Sequence, residues 1–232
     1  MSKVWAGMVV GVSGEAGPLR DAIRRVLMRL GAQVVEVEGA RHGDLARTLA
    51  TLPRLDGWVH CPQLDEAETA GGGSAAIGTT IGLVVDDAYR VCHLVGQRML
   101  SQDSGAIVLL ARVNAFVVGS DDVAGATLQA ALVQMAKALG VSWAAHGIRV
   151  NVVAVGAIEG VVEADQREAL QLRTPLGRLG LPEEVAEAVC FLLGEDSSFI
   201  TAECLRVDGG WLAYQYFYPA VRTQGFHPAG EP

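Results

Sequence analysis

The sequence predicts an α/β domain of the Rossmann-like, doubly wound type: a parallel sheet of six strands with helices on both faces. Three observations carry this. Apolar runs of strand length alternate with segments of helical period, the runs are continuously apolar rather than alternating, and they sit at the regular intervals of strand–helix units. The 232 residues are half apolar and only 19% charged, which excludes a disordered chain and suits one core.

Val4–Val10 reads as the first strand, followed by a turn over Gly11–Gly17. Leu19, Ile23, Val26, Leu27 and Leu30 then fall on one face of a helix that Gly31 stops. Arg20, Arg24, Arg25 and Arg29 read as the solvated face of that helix. Val34–Val37 is the second strand, Asp44–Ala50 a short helix and Gly57–Cys61 the third strand. Residues 62–78, with Pro62, an acidic cluster and three consecutive glycines, read as a flexible loop. A helix over Thr80–Leu100, a strand over Ala106–Ala111, a helix over 122–145 and a strand over Ile148–Val155 follow. A weak helix lies near Glu163–Leu172, Pro182 opens a further helix at N1, and Leu205–Val207 is the last strand. The expected spatial order is 2-1-3-4-5-6.

Charge and cysteines narrow the partners. A net charge of −8 repels a phosphate backbone, so no nucleic-acid partner is expected. Cys61, Cys92, Cys190 and Cys204 have no metal-ligand spacing and read as reduced thiols; with no signal peptide visible, the expected location is cytoplasmic. The segment Ala124–Ala145 holds only Lys137 as a charge, but Gln129, Gln134, Gly140 and Ser142 interrupt it. It reads as a helix held between its own sheet and a second subunit rather than a membrane span.

The C-terminal half carries a long ordered set of motifs: Gly147-Ile148-Arg149-Val150-Asn151, Val155-Gly156, Pro175-Leu176-Gly177-Arg178-Leu179-Gly180, Pro182-Glu183-Glu184-Val185-Ala186, Phe199-Ile200-Thr201 and Val207-Asp208-Gly209-Gly210. Over residues 4–211 this resembles the short-chain dehydrogenase/reductase family. The resemblance implies NAD(P) across the C-terminal strand ends, a glycine-rich phosphate turn, and a Tyr-x-x-x-Lys pair assisted by a Ser and an Asn.

Residue by residue, the carry-over fails at those positions. The phosphate turn reads Ser13, Gly14, Glu15, Ala16, Gly17, Pro18, Leu19, Arg20: one glycine is in register, Pro18 and Arg20 replace the others, and Glu15 adds negative charge. Glu38 stands where the family often has the acid that binds ribose. His60, Cys61, Pro62 and Gln63 match nothing in the family's Asn-Asn-Ala-Gly turn, and adjacent strand residues such as His60 and Cys61 face opposite ways, which suits a structural role. The four catalytic positions carry Val84 for Asn, Arg112 for Ser, Gly125 for Tyr and Gln129 for Lys. Only 22 positions separate Glu38 from His60, so one strand–helix unit of the family is missing.

The expectation that follows is a single degenerate domain over residues 1–211 and an aromatic tail over 212–232. No residue is expected to be catalytic, the turn of Gly14, Glu15, Gly17, Pro18 and Arg20 is expected to be vestigial, and no cofactor or metal is expected on this chain. The function expected is that of a non-catalytic subunit, similar to the inactive subunits of heteromeric family members such as the benzylsuccinyl-CoA type. NAD(P) would then belong to an active homologous partner, met through helices 80–100 and 122–145 and the C-terminal strand. From Trp211 onward the chain holds six of the thirteen aromatic residues, Trp211, Tyr214, Tyr216, Phe217, Tyr218 and Phe226, and the tail serves an interface or folds over its own core. Two alternatives stand beside this. One is a non-redox enzyme of cyclase, dehydratase or isomerase type, with Arg112, Asp86, Asp87, His93, Glu159 and Glu163 as cleft residues; the other is a homodimeric ligand-binding protein.

Overall fold

The computed structural model describes residues 5–38, 42–62, 74–117 and 123–214. Six parallel strands form one sheet: β1 (Val9–Gly14), β2 (Gln33–Glu38), β3 (Gly57–Cys61), β4 (Gly105–Arg112), β5 (Ile148–Val155) and β6 (Cys204–Val207), in spatial order β2-β1-β3-β4-β5-β6. This is the expected α/β architecture and the expected order.

Helices cover both faces. α1 (Pro18–Leu30) and α6 (Pro182–Leu193) lie on one side, over Val10, Val12, Val59, Val108 and Val153. α2 (His42–Thr51), α3 (Ser74–Leu100) and α4 (Val123–Trp143) lie on the other, over Trp58, Ile107, Leu109, Val150 and Val152. The short α5 (Arg167–Arg173) follows β5. Alternate strand residues feed the two cores, so a continuously apolar strand is what burial on both faces requires. Each large side chain so buried contributes about 1.5–3 kcal/mol.

The first strand is shifted from its expected place: it occupies Val9–Gly14, running through Gly11 instead of ending before it. The ring of Trp58 explains this. A Cβ on residue 11 would lie 2.0 Å from that ring, so glycine is the residue that lets β1 and Trp58 of β3 share the space. The long helix starts earlier than expected, at Ser74, and α5 starts later, at Arg167. The loop expected at 62–78 lies largely outside the described residues, as do Tyr216, Phe217, Tyr218 and Phe226 of the tail.

The motifs of the C-terminal half turn out to be scaffold. Arg149 reaches from β5 to the end of α6 and donates to the carbonyls of Leu192 (2.7 Å), Leu193 (3.2 Å) and Gly194 (3.1 Å), to Ile200 (3.4 Å) and to the Ser197 hydroxyl (2.8 Å). These are the carbonyls a helix end leaves unpaired, and a cation is the favoured partner there. Asn151 holds the next segment, donating to Ile200 O at 3.0 Å and accepting from Glu203 N at 3.0 Å. Glu184 accepts the Leu181 N–H at 2.7 Å and pairs with Arg178, closing the start of α6. Asp208 accepts from Gly210 and Leu212 and so caps the turn at Trp211–Ala213. No helix among the described residues is long and apolar enough to cross a membrane.

Candidate functional site

From β1 the chain moves out to β2 and then returns to the other side of β1 as β3, so the strand order reverses there. Crevices at such reversals, beyond the carboxyl ends of the strands, are where open α/β sheets bind ligands. A cleft of about 270 Å³ lies at that place. Its walls are the start of α1, the ends of β3 and β4, and the loop over residues 160–163.

The turn between β1 and α1 is held from β3. Gly14 has φ +100°, and a Cβ there would lie 1.9 Å from the Cys61 carbonyl oxygen, so the site demands glycine twice over. The same carbonyl accepts the Glu15 N–H at 2.8 Å. Gly17 precedes α1 without a side-chain cap, and open space lies beside it. Pro18 occupies N1, where a missing N–H costs nothing. The amino end of α1 therefore faces the cleft with its remaining N–H groups and the positive end of its dipole.

Arg20 is the least expected member of the turn. Its side chain is 5% exposed and runs inward, not out with the solvated stripe of Arg24, Arg25 and Arg29. It donates to the Gly14 carbonyl at 3.2 Å and to the Glu36 carboxylate at 3.1 Å. Its Nε is buried and has no hydrogen-bond partner among the described residues. Glu36, the acid that anchors it, was missed from the sequence; its signal was a carboxylate on the β2 face that turns toward α1.

The expected polar residues separate. Arg112 ends β4 and lines the cleft, and Glu163 lines it from the loop after β5. Val84 is on α3 and Gly125 and Gln129 are on α4; none of the three lines the cleft. Gln129 is buried and its carboxamide oxygen accepts the Arg112 N–H at 2.9 Å. Asp86 pairs with Arg90 at 2.7 Å, His93 stacks on Tyr89, and Glu159 pairs with Arg167. Those three are committed outside the cleft.

His60 and Cys61 do face opposite ways. Cys61 joins the core under α1 and α6, and burial pushes its thiol up to about 12, against the pull of Arg20. It is no thiolate nucleophile. His60 is fully buried on the α3 side, and its Nδ1 lies 3.0 Å from the Ser13 hydroxyl. Trp58 Nε1 donates to that hydroxyl at 2.9 Å. The hydroxyl thus ties the indole of Trp58 to the imidazole of His60, whose Nε2 lies 3.6 Å from the Asp87 carboxylate. Desolvation lowers the His60 pKa to about 4, so the ring is neutral near neutral pH.

A nucleotide phosphate fits the start of α1: the helix end is uncapped, the space beside Gly17 is open, and the buried Arg20 guanidinium adds positive charge beside the turn. Glu15 and Glu163 bring carboxylates to the cleft lining and Arg112 a guanidinium.

Residues 6–212 match the family described as enoyl-(acyl carrier protein) reductase. The chain is 31% identical over 250 residues to cis-4-hydroxycyclohexanecarboxylate dehydrogenase of Sinomonas cyclohexanicum, covering 92% of this chain and all of that one. It is 28% identical over 243 residues to a protein of Bacillus subtilis described as 2,4-dienoyl-CoA reductase, covering 87% and 95%. Among solved structures, one described as an NAD(P)-dependent gluconate 5-dehydrogenase from Beutenbergia cavernae, with NADP bound at low occupancy, superimposes with TM-score 0.80 at 26% identity, over 90% of this chain and 98% of that one.

These relatives overturn three expectations: a non-catalytic subunit, a chain that is no enzyme by itself, and a chain that binds no cofactor. The proteins it matches over nearly their full lengths are dehydrogenases and reductases, and one holds NADP. The physical reason for the error is the step from an altered glycine pattern to a lost cleft. The turn has kept the backbone shape, at Gly14, and the open helix end that a phosphate needs.

Proposed function

Because the chain belongs to the short-chain dehydrogenase/reductase family, we propose that it is an NAD(P)-dependent oxidoreductase with its nicotinamide cofactor in the cleft at the carboxyl ends of β1, β3 and β4. The observation that carries this is the uncapped start of α1 facing that cleft, with Gly14 shaping the turn. Full-length similarity to named dehydrogenases supports it.

When bound, the cofactor supplies or accepts the hydride. The chain's own part is to seat the phosphate at the start of α1 and to meet the substrate oxygen. Val84, Gly125 and Gln129, which stand at three of the positions the family uses for proton transfer, carry no charge and do not line the cleft. Arg112 stands at the fourth and does line it. Its guanidinium stabilises negative charge on a carbonyl oxygen as an alkoxide forms, and the proton then comes from water. Gln129 fixes the end of β4 from which that side chain projects.

The test is purified chain with NADH or NADPH and a panel of ketones and 2-enoyl thioesters, read as dinucleotide oxidation, with binding followed by fluorescence. Turnover that falls about 100-fold or more in Arg112→Ala is the expected result. Absence of both binding and turnover overturns the proposal.

We also propose association through α3 and α4, with a homologue or a second copy as partner. Leu83, Tyr89, Val123 and Val141 are exposed apolar side chains on those helices. Light scattering of the purified chain, alone and co-expressed with a homologous dehydrogenase, reads the outcome; a monomer in both cases overturns it.

A further inference from the structure

We propose that the substrates of the cleft are 2-oxo acids, selected by Arg112, whose guanidinium takes the carboxylate and the neighbouring carbonyl oxygen together. The inference rests on the cofactor reading above and adds the substrate class to it.

Three observations carry it. First, the sheet itself aims Arg112 at the cleft. Its backbone is still extended, at φ −92° and ψ 158°, and pairs with Val155 of β5. The two-residue period therefore puts its side chain on the face of Val108 and Leu110, which is the face of α1 and of the cleft. The buried Gln129 holds its N–H at 2.9 Å and fixes that direction. Second, the two guanidiniums in the lining have different work. Arg20 is 5% exposed and joins Gly14 to Glu36, so it belongs to the fold. Arg112 is half-buried at the end of β4. Glu15 and Glu163 also line the cleft, so an anion is admitted only where a cation receives it, and at the substrate end that cation is Arg112. Third, the same face of the sheet is otherwise apolar there, with Leu110 and the neutral thiol of Cys61 in the lining, and a charge pair is stronger beside such groups than in water.

The chemistry of the donor sets the class. Where the family resemblance implies a serine, with its single neutral donor, this chain has a planar fork of N–H donors that is always charged. A lone ketone oxygen answers that charge with a dipole only. A 2-oxo acid presents a carboxylate oxygen and the carbonyl oxygen side by side in one plane, the pattern a guanidinium binds through two parallel bonds. Over the reaction the 2-oxo acid gains the hydride that the cofactor supplies and one proton from solvent, becoming a 2-hydroxy acid, and the cofactor leaves oxidised.

The test offers the full chain, with NADH or NADPH, a series of short straight-chain 2-oxo acids, each beside its amide and its methyl ketone. The kcat/KM should be about tenfold or more higher for the acid than for either neutral analogue. Oxamate keeps the fork of oxygens and is not reduced; it should raise the melting temperature of the chain with its dinucleotide, and lose that effect in Arg112→Gln. Arg112→Lys, checked for folding by circular dichroism, keeps the charge without the fork. It should lower kcat/KM for the acids by about tenfold or more and leave dinucleotide binding in place. A preference for the acids under about tenfold overturns this inference and leaves the cofactor reading standing. Dinucleotide binding with no turnover of any acid and no oxamate effect does the same. If neither dinucleotide binds, both fall together.

Discussion

The Gln129 carboxamide oxygen accepts the main-chain N–H of Arg112 at 2.9 Å, joining the buried face of α4 to the last residue of β4. The bond satisfies a strand-end donor and sets the direction in which the Arg112 side chain leaves the sheet.

Replacing Gln129 with Leu keeps most of the volume but orphans that N–H. The expected cost is about 1–3 kcal/mol, read as a lower urea midpoint at unchanged slope. If Arg112 meets substrate as proposed, kcat should fall as well, beyond what the stability loss explains.

Arg149→Met leaves the carbonyls of Leu192, Leu193 and Gly194 without their shared donor. A loss of about 1–3 kcal/mol is expected, since the Leu193 carbonyl loses its donor while those of Leu192 and Gly194 keep the Ser197 hydroxyl. Hydrogen exchange should show the loss concentrated at the end of α6 and in residues 197–203. A change under about 0.5 kcal/mol would show that the carbonyls find water instead.

His60 makes the fold acid-labile. Its pKa is lowered to about 4 in the folded chain, against about 6.5 when unfolded. The unfolded state therefore binds the extra proton first. Stability is full above pH 6.5 and falls as pH drops from about 6.5 toward 4, by up to about 3 kcal/mol. Below about 4 both states are protonated and this contribution stays flat. His60→Gln should flatten the pH dependence over that window. An unchanged slope in the variant would assign acid lability to other groups.

Glu15 lines the cleft three residues before the start of α1. Glu15→Gln should tighten NADH by about fivefold at low salt, the equivalent of about 1 kcal/mol for like charges near 4 Å in water. The gain should shrink in 1 M salt, where screening acts within about 3 Å. Weaker binding in the variant would mean that the Glu15 carboxylate contacts the ligand favourably.

Much of the scaffold was legible because its signals are local or periodic. Continuous apolar runs marked strands buried on both faces, and Pro182 marked the start of α6. The motif residues Arg149, Asn151 and Asp208 were legible as a pattern, but their work, tying together the end of α6 and the segments around β6, needs coordinates. What the sequence hid were pairings between distant positions. Gly11 looked like a turn because the Trp58 ring that demands it is 47 residues away. Arg20 looked solvated because Glu36 is on a separate strand. Gln129 was weighed as a lost lysine, when its partner is a main-chain group that no side-chain pattern reveals.

Among the described residues, β2 pairs with β1 alone, so its outer side presents a row of unsatisfied amide and carbonyl groups. Such a rim is a template for stacking strands from other molecules. Glu36, held on this strand by Arg20 and Arg24, is a charged gatekeeper against that. Its neutralisation would remove a charged obstacle to fibre-like growth from this side of the protein, and would at the same time release Arg20 of the cleft wall from its anchor.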